Sequence, residues 1–145
     1  MALTQVDQGL LGTYAQYTGF KNRLINGGMV IDQRNAGASV TANNVYGVDR
    51  WVGLSDTSGK WTMQQNAGSV TPPAGFTNYV GGTSSSAYSP ISTDYFGFEQ
   101  RIEGYNIADL GWGASGASAV TLSFWVRSSL TGSFGGTFLN SAQNR

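Results

Sequence analysis

The segment AVTLSFWVR, residues 119–127, carries the clearest fold signal in the chain. Apolar and mostly polar residues alternate along it, and one face consists of Val120, Leu122, Phe124 and Val126. An alternation with a period of two is typical of a half-buried β-strand, and a slip by one residue would turn the apolar face to solvent. The segment therefore predicts a strand whose register is fixed by burial of one face.

Short apolar runs between turn-forming residues extend this pattern in both directions. We predict further strands at residues 24–34, 49–54, 60–64, 95–102 and 133–139. Residues 66–93 are dominated by turn formers, and Pro72-Pro73 excludes a central strand at that point. At least six short strands with hardly any sustained helix predict an all-β fold, an antiparallel β-sandwich of two sheets. We expect much of its core to come from Trp51, Trp61, Phe98, Leu122 and Phe124.

The first 23 residues differ from the rest of the chain. Their apolar residues recur at helical spacing, but the glycines among them each weaken a helix by about 1 kcal/mol. We interpret residues 1–23 as a short N-terminal docking or assembly extension and residues 24–145 as the β-sandwich domain. A frayed terminus without a role is the alternative. The predicted docking residues are Val6, Leu10, Leu11, Tyr14, Tyr17 and Phe20.

Charge and composition exclude several classes of function. Eight Lys and Arg residues balance eight Asp and Glu residues, so no basic face is available for nucleic acid or for an anionic membrane. The absence of Cys and His removes thiolate nucleophiles, imidazole bases and the usual zinc ligands. No run of about 18 apolar residues could cross a bilayer. We expect a chain that is not an enzyme, has no cofactor or metal, binds no nucleic acid and does not insert into membranes.

Glu99 and Glu103 are the candidate pair of catalytic carboxylates. Glu99 and Glu103 are the closest carboxylates in sequence that could share a strand face, but a strand would hold them about 13 Å apart. That separation is wide for a glycosidase pair, so we expect both to lie on the surface. A depolymerase whose carboxylates converge from distant strands is the alternative. In Asp49-Arg50-Trp51 we expect an ion pair at a sheet edge.

Aromatic rings and polar side chains near residues 100–125 suggest a glycan site. Sugars lay their apolar faces on flat rings, and amide and guanidinium groups bind their hydroxyls. The alternative is that these rings pack in the core. The candidate glycan-binding residues are the rings of Tyr105, Trp112 and Trp125 together with Gln100 and Arg101.

Two parts of the chain resemble known families. KNRLINGGMVIDQRNAG (21–37) followed by VYGVDRW (45–51) resembles the opening of tail-fibre and related virion proteins of bacteriophages, including phages of marine bacteria and cyanobacteria. FEQRIEGYNIADLGWG (98–113) and AVTLSFWVRSSLTGSF (119–134) are similar to carbohydrate-binding modules of jelly-roll type. Together these pieces cover most of residues 20–138.

The resemblance implies a virion protein of the phage tail or an appendage, with a jelly-roll-like sandwich. Its expected partners are other virion proteins and further copies of itself in a homotrimer, and it would attach to the particle or to the host surface. A module that reads host cell-surface glycans and a head decoration protein without a ligand are the alternatives. Because such modules need more chain than follows Phe98, we expect the sandwich domain to be incomplete at its C-terminus.

Overall fold

The computed structural model describes residues 21–143 and is dominated by short strands. The predicted docking residues Val6, Leu10, Leu11, Tyr14, Tyr17 and Phe20 lie outside this range. Single turns of 3-10 helix occupy Ala67–Ser69 and Ala108–Leu110. The strands and the short helix are β1 (Val40–Thr41), β2 (Val45–Val48), β3 (Trp51–Ser55), β4 (Trp61–Gln65), β5 (Val80–Ser84), β6 (Phe96–Gln100) and α1 (Gly104–Ile107).

The six strands form two antiparallel sheets of three strands each. The first sheet has the order β1-β4-β5 and the second has the order β2-β3-β6. Met63 is paired with Val40 on one side and with Gly82 on the other, whereas Gly53 lies between Val45 and Phe98. The predicted all-β antiparallel sandwich is confirmed. A jelly roll has eight strands, so that finer arrangement stays a prediction for this chain.

The core lies where β4 of the first sheet crosses β2 and β3 of the second sheet. A Cβ added at Gly47 would lie 2.6 Å from the Met63 sulfur, and one added at Gly53 would lie 3.3 Å from it. The two glycines therefore let the Met63 side chain approach the backbone of the opposite sheet. Apart from Gly47 and Gly53, the buried residues within 21–143 are Ala42, Val48, Val52, Ser55, Met63 and Leu110.

This core differs from the predicted one. Trp51 and Trp61 are half-buried, and their indole N–H groups donate to the Asn26 and Leu54 carbonyls at 3.1 and 3.2 Å. Phe98, Leu122 and Phe124 are exposed. Met63 fills the space between the sheets at Gly47 and Gly53, whereas the Trp61 ring packs against Gly82 and Phe98.

Three predicted strands correspond to β3, β4 and β6, but two others and one predicted loop were wrong. No strand forms at residues 24–34. Turns occupy residues 25–28 and 33–37, and the Asn26 side chain bonds the backbone of Ile31 and Asp49. Residues 133–139 form no strand. Strand β5 lies within residues 66–93, the segment dominated by turn formers. It contains Gly81 and Gly82, and glycine is generally unfavourable in strands. A Cβ at Gly81 would lie 2.6 Å from the Ala67 Cβ, so packing requires glycine there.

The strand predicted at residues 119–127 joins neither of the two sheets. The segment belongs to no ladder of the described strands, and its large apolar side chains are 40–75% exposed. A β-strand satisfies its backbone groups only by pairing with a neighbour, and no described strand lies beside this one. The alternating pattern is present, but its partner is missing from residues 21–143.

Candidate functional site

The most prominent surface feature is an exposed apolar segment, residues 119–139. Its only charged residue is Arg127. Contiguous exposed apolar surface on this scale is typical of a protein interaction site. The exposed members are Val120, Leu122, Phe124, Trp125, Val126, Leu130, Phe134, Phe138 and Leu139.

The two ends of the apolar segment are held close together at Trp112. The Trp112 indole N–H donates to the Ser118 carbonyl at 3.0 Å, just before the segment begins. The Trp112 ring packs edge-on against Phe138, with 5.9 Å between the ring centroids. Trp112 therefore anchors the segment, and the ring is half-exposed rather than isolated on the surface.

A polar clasp fixes the chain just before the apolar segment. The Arg23 guanidinium donates to both oxygens of Asp109 at 2.6 and 2.5 Å and to the Asn106 carbonyl, and Lys21 lies 3.4 Å from the same carboxylate. The hydrogen bonds from Arg23 hold the pKa of Asp109 well below its usual range, although partial desolvation opposes them. The clasp joins residues 21–23, the end of the predicted extension, to residues 106–109.

The sequence prediction missed a small cleft of about 300 Å³ beside the turn between β2 and β3. Arg34 lies over the Tyr46 ring at 5.2 Å on one side of it. Asp49 Oδ1 and Arg50 Nε are buried without a hydrogen-bond partner, and Arg50 has a left-handed backbone with φ 74°. The lining residues are spread from Ile25 to Arg50, so no local motif pointed to the cleft.

The expected ion pair in Asp49-Arg50-Trp51 is formed by a different carboxylate. Arg50 binds Glu103 at 2.7 and 2.9 Å, and it also donates to the Arg101 carbonyl. Glu99 is bound to Arg101 at 2.6 Å. The hydrogen bond from Arg50 lowers the pKa of Glu103, which favours the ionised form and disfavours a role as a general acid. Among residues 21–143 no three acidic side chains come together as a metal site.

The five predicted glycan-binding residues lie in different surroundings. Both amide atoms of Gln100 are engaged, because Oε1 accepts from the Ile25 N–H and Nε2 donates to the Ile25 carbonyl. Arg101 is paired with Glu99, and Trp112 packs on Phe138. The rings of Tyr105 and Trp125 are 98% and 75% exposed, and Tyr105 lines a shallow depression together with Gly104 and Ala108. Tyr105 and Trp125 are therefore the members of the set that present ring surface to solvent.

Comparisons with protein-family models, with curated proteins and with solved structures found no match for this chain. No helix within residues 21–143 has the length and apolar character needed to span a membrane.

Proposed function

We propose that this chain is a structural protein of a bacteriophage virion, a tail-fibre or appendage component that works by contact and not by catalysis. The observation that carries the proposal is the apolar segment, residues 119–139, whose large side chains face solvent. The likeness of residues 21–37 and 45–51 to virion proteins gives the proposal its biological setting. On this basis the chain acts as a homotrimer in the phage tail or an appendage.

The energetics of the apolar segment favour assembly. Burying one side chain such as Leu or Phe contributes about 1.5–3 kcal/mol relative to leaving it exposed. Nine such side chains are exposed along the segment, and one charge interrupts them. A partner that covers half of them gains about 7–13 kcal/mol, which is of the same size as the cost of association, about 4–15 kcal/mol. The other predicted contact, through residues 1–23, would join the assembly to a neighbouring virion protein.

Two measurements test this function. Light scattering of the purified chain over 1–100 μM, a range typical of specific assembly, should give the mass of three copies. Gold-labelled antibody against the chain should decorate the tail or appendage of the phage particle. A monomer at every concentration contradicts the assembly, and labelling of the head instead favours a decoration protein.

Glycan binding is a second candidate, supported by the exposure of Tyr105 and Trp125. A flat ring open to solvent can stack on the apolar face of a sugar of the host surface. On a glycan array, binding should fall in the variants Tyr105→Ala or Trp125→Ala and persist in Phe76→Ala, which removes an exposed ring elsewhere. An array without any signal contradicts this candidate and leaves the assembly function standing.

A further inference from the structure

The outer edge of β6 is open and apolar. Strand β6 is paired with β3 on one side only. Phe96 and Phe98 on this strand are 39% and 43% exposed, and Phe98 meets Trp61 of the first sheet edge-on at 5.2 Å between ring centroids. Phe98 therefore points toward the first sheet, and Phe96, two residues away on the same face of the strand, packs edge-on against Tyr88 at 6.0 Å between ring centroids. An unpaired edge of this kind is a template for another strand.

The other long edges of the two sheets are less suitable for strand addition. At β2 the Asn35 side chain donates to the carbonyls of Tyr46 and Gly47, so those acceptors are already engaged. Strand β5 has the sequence VGGTS, which offers a single large apolar side chain. The β6 edge alone among these combines an open side with exposed aromatic rings.

The apolar segment supplies a strand of matching character. Residues 119–127 form no helix, turn or paired strand, and they carry one charge, Arg127. The face with Leu122 and Phe124 matches the face of β6 with Phe96 and Phe98. When these two faces are aligned, the Ser123 side chain and the Gly97 position lie together on the outer face of the sheet.

We propose that residues 119–127 of one copy add to the β6 edge of a second copy and complete its second sheet as a fourth strand. This inference rests on the proposed assembly and names its contact. Such an addition covers on the order of 500 Å² of apolar side chain at each contact, and the backbones and Trp125 bring the total near the roughly 1,000 Å² of a specific interface. The two strands carry one charge of each sign, Glu99 and Arg127, and the chain has no net charge, so long-range repulsion between copies does not oppose self-association.

The anchoring of the segment explains why the acceptor is a second copy. Asp109 is fixed by Arg23, Leu110 is buried, and the Ser118 N–H donates to the Leu110 carbonyl at 2.8 Å. These contacts set where the segment leaves its own domain, and it does not lie along its own β6. A donor on one side and an acceptor on the other make a head-to-tail contact, which forms a ring when the rotation between copies closes and an open filament when it does not. Three copies give the proposed homotrimer.

Cysteine cross-linking tests this contact, because the native chain has no cysteine. One chain carries Gly97→Cys, where an added Cβ meets nothing within 4 Å. It is mixed with a separately tagged chain that carries Ser123→Cys or Thr121→Cys, two of the small positions on the outer face. The matched control is Ser129→Cys, outside the strand. A disulfide requires Cα atoms about 4.4–6.8 Å apart, so it reports direct pairing.

We expect Gly97→Cys to cross-link to position 121 or 123 on the order of tenfold more than to position 129, because pairing raises the effective concentration of the thiols. Three results would overturn the inference: equal cross-linking of all positions, a dominant 123–123 link between identical chains, or a link confined to one chain in the Gly97→Cys/Ser123→Cys double variant. Circular dichroism of each variant establishes that it is folded. If the native chain is trimeric but the 97–123 link is absent, the proposed assembly is retained and the proposed β6 contact is wrong. If the native chain is a monomer, both the assembly and the contact are wrong.

Discussion

Replacing Gly47 by alanine tests the contact between the two sheets. The new methyl group would lie 2.6 Å from the Met63 sulfur, 2.7 Å from its Cγ and 3.2 Å from its Cβ. Met63 is 1% exposed and has no open space to enter, so either the sheets separate or the side chain leaves its favoured conformation. Inserting a methyl group into a packed core costs about 1–3 kcal/mol. The matched control is Gly97→Ala, which adds the same methyl group to a strand glycine with no neighbour within 4 Å.

Urea unfolding followed by tryptophan fluorescence and by circular dichroism measures these changes. Gly47→Ala should lower the free energy of unfolding by about 1–3 kcal/mol. Gly97→Ala should change it by less than about 1 kcal/mol. Met63→Ala alone should cost about 2–5 kcal/mol. The double variant loses the contacts with the Met63 sulfur and Cγ and keeps only the 3.2 Å contact with the Cβ of residue 63, so its cost should fall short of the sum by about 0.5–3 kcal/mol. Equal stability of Gly47→Ala and Gly97→Ala, or strictly additive effects, would refute the packing of Met63 on Gly47.

Three further predictions concern the clasp, the half-buried Tyr79 hydroxyl and the apolar segment. The pKa of Asp109 is lowered in the folded chain, so its contribution to stability is complete above the ordinary value of 3.8 and is lost as the pH falls below it. In acid unfolding, the free energy of unfolding of Asp109→Asn should therefore fall less steeply with decreasing pH than that of the native chain. Tyr79→Phe removes a hydroxyl that accepts a hydrogen bond from the Val70 N–H and donates one to the Ala67 carbonyl, both of 2.6 Å. It should lower the free energy of unfolding in urea by about 1–3 kcal/mol, and an unchanged urea midpoint would contradict these two hydrogen bonds. Phe124→Ser should weaken self-association about 10- to 150-fold in sedimentation velocity, while Phe76→Ser, which changes an exposed ring outside the segment, should leave it unchanged; equal effects would remove the segment from the interface.

Local sequence patterns predicted strands that can be recognised from one apolar face, without knowledge of the strand they pair with. The alternation around Trp61 and Met63 gave β4, and the run that contains Phe96 and Phe98 gave β6, because one face of each strand is apolar. The same rule predicted a strand at residues 119–127, where the pattern is clearest. Pairing is a property of two segments, and periodicity within one of them does not supply the second.

The core and the cleft depend on contacts between residues far apart in sequence. Met63 is buried because Gly47 and Gly53 of the other sheet leave space for it, and glycine in a strand reads as a weakness when the sequence is taken alone. The cleft beside the left-handed turn at Arg50 had no local signal, because its lining residues are spread from Ile25 to Arg50. Exposed rings such as Tyr105 were found by residue type, but their exposure follows from the fold.

Hydrogen–deuterium exchange of residues 119–127 tests most directly whether the apolar segment is covered by another copy. At concentrations where the chain is assembled, the amides of this segment should exchange slowly, since strand pairing protects them, and dilution to the monomer should make them exchange rapidly. Rapid exchange at every concentration would show that nothing pairs with the segment. Slow exchange that persists in the monomer would show that its partner lies in the same chain, and either result would contradict this account.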